Sequence, residues 1–237
     1  MLAMRLLLLS NSTNFGGAYL DHAQSEITAL FAGVTRILFV PFALHDQPGY
    51  WARARERFAA WGIEVDRAAE GRSGRAAAEN ADGIFIGGGN TFRLLHRLRQ
   101  SGMLETIRER ALAGMPYMGA SAGTVIAAPT IMTTNDMPIV QPASFDALGL
   151  VPFQINCHYL DPDPASKHMG ETRQARLIEY LEENDNVVVG LREGGILSVT
   201  GAPGSPQVML LGSAAARVFS REALPVEYQP GQFLFSK

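Results

Sequence analysis

The chain has 237 residues, of which 47% are hydrophobic and 18% charged, with 24 Gly and 13 Pro; this globular composition excludes disordered and fibrous architectures. Its 20 Lys and Arg residues against 23 Asp and Glu residues give a formal net charge of -3, so no overall basic field would attract a nucleic acid. No apolar run approaches the roughly 18 residues of a membrane-spanning helix, so we expect neither a nucleic acid nor a membrane as a partner.

The cysteine content and the absence of linkers indicate the cellular location and the number of domains. The single cysteine, Cys157, cannot form an internal disulfide, which favours a reducing compartment and a cytoplasmic location, with a mature periplasmic protein as the alternative. The apolar run 6–9 is short and has no credible cleavage site after it, so we interpret it as a buried strand and not as a signal peptide. No linker or repeat is visible, and α/β folds of about 200–250 residues are commonly single domains, so we predict one domain over residues 1–237.

Short apolar runs alternate with amphipathic stretches through most of the chain. The predicted strands are residues 6–9, 37–40, 63–65, 83–86, 117–119, 153–156 and 187–191. The predicted helices are residues 19–31, 51–61, 91–99, 104–113 and 171–183. Left-handed glycines are expected where helices end, at Gly33, Gly62, Gly102 and Gly114. With further β-prone segments at 196–200, 208–211 and 216–219, the pattern predicts an α/β fold: a mostly parallel sheet flanked by helices on both faces, with a β-rich C-terminal end.

Residues 119–123 form the pattern G-x-S-x-G between a strand-like and a helix-compatible segment. In this context, small neighbours permit the strained turn that lifts a serine hydroxyl out of a sheet. The helix N-terminus that follows also offers backbone N–H groups to an anion that forms at an attacked carbonyl. The pattern therefore predicts that Ser121 is a nucleophile, with a purely structural small-residue turn as the alternative.

A serine nucleophile needs a base within hydrogen-bond reach, usually a histidine that a carboxylate orients. Of the five histidines, His158 is the best candidate because it follows a predicted strand, where open α/β sheets place their sites. A structural histidine bonded to the backbone is the alternative. Asp136 and Glu193 are the candidates for the orienting acid, although Asp136 could cap a turn and Glu193 could be a solvated loop charge.

A metal site is a competing hypothesis for one short region. His158, Asp161, Asp163 and His168 lie close together in the sequence. Their spacing matches no standard ligand motif, and catalytic zinc usually has protein ligands in recognisable arrangements. We therefore predict that the site holds no metal.

Consecutive glycines at 87–89 follow the predicted strand 83–86 and precede the helix 91–99. They let the backbone approach a ligand closely, so one of their N–H groups could be a second oxyanion donor beside that of Ala122. A flexible turn is the alternative. A dinucleotide site is not supported, because the stretch is not G-x-G-x-x-G and the chain has no Walker P-loop.

Several segments, taken in chain order, resemble peptidase E, the α-aspartyl dipeptidase family of serine peptidases. They are residues 6–13, 87–92, 119–123, 133–140, 145–148, 154–156, His158 and 170–173. The resemblance covers nearly the whole chain. It implies a flavodoxin-like fold similar to class I glutamine amidotransferases. It also implies a cytoplasmic enzyme that removes N-terminal aspartate from Asp-Xaa dipeptides and some slightly longer peptides, without a metal or organic cofactor.

The resemblance also implies a role for each candidate of the catalytic group. Ser121 corresponds to the nucleophile and His158 to the base. Both Asp136 and Glu193 match positions proposed for the acidic member. We favour Glu193 as the partner of the imidazole because it follows a strand, and expect Asp136 to order the site or bind substrate.

The amides of Gly89 and Ala122 match the expected oxyanion hole. The predicted partner is a small peptide with an N-terminal aspartate, and the sequence leaves open whether the chain is a homodimer. An Asp-specific site must offset the desolvation of the substrate carboxylate with a cation or several donors. Arg173 and Asn90 are the candidates for that role.

Two residues depart from the expected pattern. Ala120 stands where close enterobacterial members are expected to have Trp, and Cys157 where Pro is expected, which puts the substrate range in question more than the reaction type. A serine hydrolase of β-linked aspartyl or other acidic peptides is therefore one alternative, and an inactive ligand-binding relative is another. An amidotransferase is not supported, because Ser121 stands where that chemistry uses Cys.

Overall fold

The computed structural model describes residues 3–165, 167 and 169–235. Its strands are β1 (Met4–Leu9), β2 (Arg36–Val40), β3 (Glu64–Arg67), β4 (Ile84–Ile86), β5 (Tyr117–Ala120), β6 (Gln154–Cys157), β7 (Val188–Leu191), β8 (Gly195–Ala202), β9 (Ser205–Gly212), β10 (Ala216–Phe219), β11 (Val226–Tyr228) and β12 (Phe233–Leu234). Its α-helices are α1 (Gln24–Leu30), α2 (Gln47–Ala59), α3 (Arg72–Asn80), α4 (Thr91–Gln100), α5 (Met103–Leu112), α6 (Ala122–Val125) and α7 (Arg173–Glu183).

The main sheet has eight strands in the order β12-β9-β8-β1-β5-β4-β2-β3. The neighbours from β3 to β1 are parallel, whereas β8, β9 and β12 add antiparallel strands at the other edge. The apolar runs of β1, β2 and β4 fit strands that are covered on both faces. The carboxyl ends of β1, β4 and β5 meet at one edge, which is where ligands bind in sheets of this kind.

Helices cover both faces of this sheet. Alternate side chains of β1 enter two separate cores, with Leu8 in one and Leu9 in the other. Buried residues of α1 and α2 pack in the core with Leu9, and those of α4, α5 and α6 pack in the core with Leu8. The predicted α/β fold, with helices on both faces and a β-rich C-terminal end, is thus confirmed. Among the described residues, no helix has the length and apolar character needed to cross a membrane.

A second sheet of four strands, in the order β11-β10-β7-β6, was not predicted. The strand predictions near 153–156 and 187–191 are confirmed, but these strands pair with each other and with β10 instead of extending the main sheet. The apolar character of a strand does not reveal its partner, so the sequence pattern could not separate the two sheets. In the register of the second sheet, Cys157 lies opposite Leu191. The two segments that follow β6 and β7 therefore begin next to each other.

Two predicted helices begin at other residues in the structure, and one helix was not predicted. The helix expected at 19–31 begins later, because Leu20 has a positive φ of 62° and the next residues form a 3-10 turn. The helix expected at 51–61 begins earlier, at Gln47, because Asp46 caps its first turn. The sequence pattern missed α3 because few of its side chains are apolar. The four glycines expected at helix ends all have positive φ, from 65° to 102°.

Candidate active site

Ser121 lies on a sharp turn between β5 and α6, with φ 50° and ψ -110°. This backbone conformation is rare for a residue with a side chain and is stable only where the surroundings enforce it. The two flanking glycines are part of that enforcement. A Cβ on Gly119 would lie 2.3 Å from the carbonyl oxygen of Gly123, and a Cβ on Gly123 would lie 2.0 Å from the carbonyl oxygen of Ile86. The turn therefore forms only with glycine at both positions.

Three side chains from different segments form a continuous hydrogen-bonded chain. Ser121 Oγ lies 2.8 Å from His158 Nε2, and His158 Nδ1 lies 2.7 Å from Glu193 Oε1. Because the carboxylate can only accept a hydrogen bond, Nδ1 carries the proton and donates it in that bond, which leaves Nε2 as the acceptor of the serine hydroxyl. His158 and Glu193 follow β6 and β7, whose parallel pairing holds them side by side. This arrangement suits a serine nucleophile with a histidine base and an orienting carboxylate.

Two backbone amides beside Ser121 are free to bind an anion. Among the described residues, neither the Gly89 N–H nor the Ala122 N–H has a hydrogen-bond partner. The glycine loop lies close to the nucleophile, since a Cβ on Gly88 would be 3.1 Å from the Cβ of Ser121. The hydroxyl of Tyr50 accepts the Gly88 N–H at 2.7 Å and so holds this loop in place. Tyr50 was not predicted as a site residue, because it lies far from the loop in the chain.

Asp136 lies apart from the imidazole. Its Oδ2 accepts hydrogen bonds from the Thr91 N–H at 2.7 Å, from the Thr91 hydroxyl at 2.6 Å and from the Thr134 hydroxyl at 3.2 Å. The carboxylate thus ties its own loop to the first turn of α4. Of the two candidate acids, Glu193 is the one that the structure brings to His158.

A cavity of about 200 Å³ lies beside the segment that carries His158. Its walls include Arg173, Asp136 and Asn135, and the Asn135 side chain donates to the Cys157 carbonyl at 2.7 Å. Burial, and secondarily the nearby Arg176, lowers the pKa of Arg173. Among the described residues, Arg173 makes no hydrogen bond or ion pair within the protein. Its charge is therefore available to a ligand.

Asn90 has a different environment from Arg173. It is the N-cap of α4: its Oδ1 accepts the Arg93 N–H at 3.0 Å, and its Nδ2 donates to the Met137 carbonyl at 2.8 Å. Both ends of the amide are thus used within the protein. Of the two candidates for binding the substrate carboxylate, Arg173 has an unpaired polar group among the described residues, whereas the Asn90 amide already has partners at both ends.

An ion pair joins the segments that carry His158 and Glu193, and it was not predicted from the sequence. Arg192, the neighbour of Glu193, makes two hydrogen bonds of 2.7 and 2.9 Å to the carboxylate of Asp161. The hydrogen bonds from Arg192 lower the pKa of Asp161. A forked pair of this kind is geometrically specific and fixes the segment after His158 against the segment before Glu193.

The metal hypothesis is not supported by the described part of the chain. Within residues 3–165, 167 and 169–235, no three His, Cys, Asp or Glu side chains cluster in a way that could hold a metal ion. Asp161, one of the proposed ligands, is paired with Arg192. His168, another of them, lies outside the described residues.

The two residues that depart from the expected pattern are both buried. The Ala120 side chain packs in the core that contains Leu9, so it does not line the site. The Cys157 thiol is buried and donates to the Ser121 carbonyl, with Sγ and O 3.6 Å apart. Burial raises the pKa of this thiol, so it stays protonated and is a poor nucleophile.

The family model and the named relatives that this chain matches are all peptidases. The sequence matches the family described as Peptidase family S51 over residues 6–204. A protein named Peptidase E from Streptomyces coelicolor is 52% identical over 231 residues, covering 98% of this chain and 93% of that protein. A protein named Probable alpha-aspartyl dipeptidase from Drosophila melanogaster is 45% identical over 231 residues, with 96% and 95% covered. The fold is similar to that of a crystallised peptidase from an acI-B1 Actinobacterium, with a TM-score of 0.72, 16% identity, and 98% and 97% of the two chains covered. The chain belongs to peptidase family S51.

Proposed function

We propose that this chain is a serine dipeptidase that hydrolyses the peptide bond after an N-terminal aspartate. The observation that carries the proposal is the hydrogen-bonded chain from Ser121 through His158 to Glu193. The substrate class is supported by the relatives named Peptidase E and Probable alpha-aspartyl dipeptidase. A binding protein without catalysis would have no need of the strained turn that presents the serine.

In the first half of the reaction, Ser121 Oγ attacks the carbonyl carbon of the aspartyl residue while His158 Nε2 takes the hydroxyl proton. The oxyanion that forms accepts hydrogen bonds from the amides of Gly89 and Ala122. Glu193 stabilises the imidazolium and holds it in the correct orientation. His158 then gives its proton to the leaving amine as the C–N bond breaks, which leaves an aspartyl ester on Ser121.

In the second half, water attacks the ester carbonyl and gives a proton to His158 Nε2. The same two amides stabilise the second tetrahedral oxyanion. Its collapse releases aspartate and returns the proton to Ser121. No metal or organic cofactor enters this scheme.

The charges of the neighbouring cavity match the charges of an N-terminal aspartyl residue. Such a residue carries a side-chain carboxylate and an α-ammonium group. Arg173 offers a cation with no partner among the described residues, and Asp136 offers an anion in the same cavity. In this proposal Arg173 binds the substrate carboxylate and Asp136 favours the ammonium, whereas Asn90 is a helix cap.

The proposal extends to the chain as a whole. Its three triad residues come from segments far apart in the sequence, which fits one peptidase domain over residues 1–237. The single cysteine fits a cytoplasmic location.

The test is hydrolysis of Asp-Leu, with Ala-Leu and β-Asp-Leu as controls, by the wild type and by Ser121→Ala in the presence of a chelator. We expect cleavage of Asp-Leu alone by the wild type, and loss of that cleavage in Ser121→Ala. Preferential cleavage of β-Asp-Leu would instead assign the chain to β-linked substrates. No cleavage of any of the three by folded wild type would favour a binding protein.

A further inference from the structure

The end of β1 contributes a buried hydroxyl to the candidate active site. Ser10 is fully buried, and its Oγ accepts the N–H of His158 at 2.9 Å and donates to the carbonyl of Leu191 at 2.7 Å. His158 follows β6 and Leu191 ends β7. One hydroxyl, on the residue that follows β1, therefore links the two strands of the second sheet that precede the base and the acid.

The residues on either side of Ser10 make matching contacts. The carbonyl of Leu9 accepts the Ser121 N–H at 3.0 Å. The side chain of Asn11 is also buried, and its Oδ1 accepts the N–H of Gly194, the residue after Glu193, at 2.8 Å. Three consecutive residues thus hold the backbone at or next to every member of the triad.

The backbone of His158 has a particular need for such a contact. It has a positive φ of 53°, a conformation that residues with side chains rarely adopt. Strained residues of this kind persist where the surrounding structure over-determines them. Loss of the Ser10 hydroxyl would leave the part-buried His158 N–H without this partner, and a rearrangement that restores one would turn the imidazole.

We propose that Ser10 is a positioning residue for the triad: its hydroxyl, bridging the His158 N–H and the Leu191 carbonyl, fixes the imidazole between Ser121 and Glu193. This role rests on the proposed peptidase function. Ser10 itself does not touch the substrate in this account. It acts through the alignment of the base with the nucleophile.

The first variant is Ser10→Ala, assayed with Asp-Leu at a temperature where it is fully folded. Small misplacements of catalytic groups cost up to about 100-fold in rate, so we expect kcat to fall by about 10-fold to 100-fold. KM should change little, because Ser10 lies outside the substrate cavity. A Ser10→Ala enzyme with wild-type kcat would overturn the proposal.

Ser101→Ala is the matched control. Ser101 is also a buried serine, and its hydroxyl donates to the Arg97 carbonyl at 2.8 Å, at the end of α4 and away from the triad. It removes the same chemical group at a similar degree of burial. We expect the control to lower the melting temperature but to keep kcat, and an equal loss of kcat in both variants would contradict a specific role for Ser10.

A double-mutant cycle separates positioning from general destabilisation. In a Glu193→Gln background the imidazole is already poorly oriented, so Ser10→Ala should cost only about threefold or less in kcat. An equal fold-loss in both backgrounds would show that Ser10 does not act through this pair. If Ser10→Ala fails to fold, Ser10→Cys carries the same test, because its thiol keeps a weaker donor and acceptor at the site.

The outcomes also distinguish this inference from the proposed function. Wild type that does not cleave Asp-Leu would refute the proposed α-aspartyl dipeptidase function. Active wild type with a Ser10→Ala enzyme that behaves like Ser101→Ala would refute the positioning role alone.

Discussion

Ser121 and His158 face each other across the candidate active site, but different forces hold their backbones. The turn at Ser121 is fixed by close backbone packing, in which no Cβ is tolerated at Gly119 or Gly123. The backbone at His158 is fixed by hydrogen bonds from distant side chains, above all that of Ser10. Both residues have positive φ, at 50° and 53°, and these two conformations are maintained in different ways.

This difference predicts two classes of variant. Changes at the serine turn should lower the stability of the fold, because moving such closely packed backbone atoms apart costs a large amount of free energy. Changes on the histidine side should reduce activity while the fold survives, because each removes one or two polar contacts from a short loop. Three variants test the contrast.

The largest effect is expected from Glu193→Gln. The amide lacks the negative charge that stabilises the imidazolium, and its NH2 group can donate to Nδ1 and hold the wrong tautomer, so kcat should fall by about 10⁴-fold. The melting temperature should change little, because Glu193 is about half exposed. The comparison variant Asp136→Asn should mainly raise KM, in steady-state assays of both enzymes. A larger loss of kcat in Asp136→Asn than in Glu193→Gln would reverse the assignment of the acid.

On the serine side, Gly123→Ala should act on stability. The added Cβ would lie 2.0 Å from the Ile86 carbonyl oxygen, and we expect a loss of about 4 kcal/mol or more in the free energy of unfolding. Chemical denaturation measures this loss. The control is Gly204→Ala, where the added Cβ meets nothing within 4 Å and stability should be unchanged. A stable Gly123→Ala protein would show that packing does not fix the serine turn.

The smallest effect is expected from Arg192→Lys. Lysine cannot form the forked pair with Asp161, so the loops after β6 and β7 should loosen and kcat should fall by about threefold to tenfold. The control is Arg36→Lys, which alters an exposed ion pair with Glu64 and should leave kcat unchanged. Equal kcat values in the two variants would remove Arg192 from the account of the histidine side.

The same contrast explains what the sequence could predict. The strand, turn and helix around Ser121 are contiguous, so the G-x-S-x-G pattern identified them without tertiary information. The second sheet depends on pairing between β6, β7 and β10, which local patterns do not encode. His158 and Glu193 could be named as candidates, but their contact could not be predicted from separate segments.

The missed residues share one property. Each makes its hydrogen bond to a residue that is distant in the sequence: Ser10 to His158, Tyr50 to Gly88 and Arg192 to Asp161. Polar residues directly after a buried parallel strand were the available signal for Ser10, since strand ends meet at the site edge. No comparable signal marked Tyr50, which lies within a helix.

The most direct test of the central claim is to locate the acyl group during turnover. An activated aspartyl ester is mixed with the wild type, quenched in acid at short times and analysed by peptide mass spectrometry. We expect a mass increase of one aspartyl group on the peptide that contains Ser121, and no such adduct in Ser121→Ala. An aspartyl group on any other residue, or turnover of the ester with no adduct at any time, would contradict it.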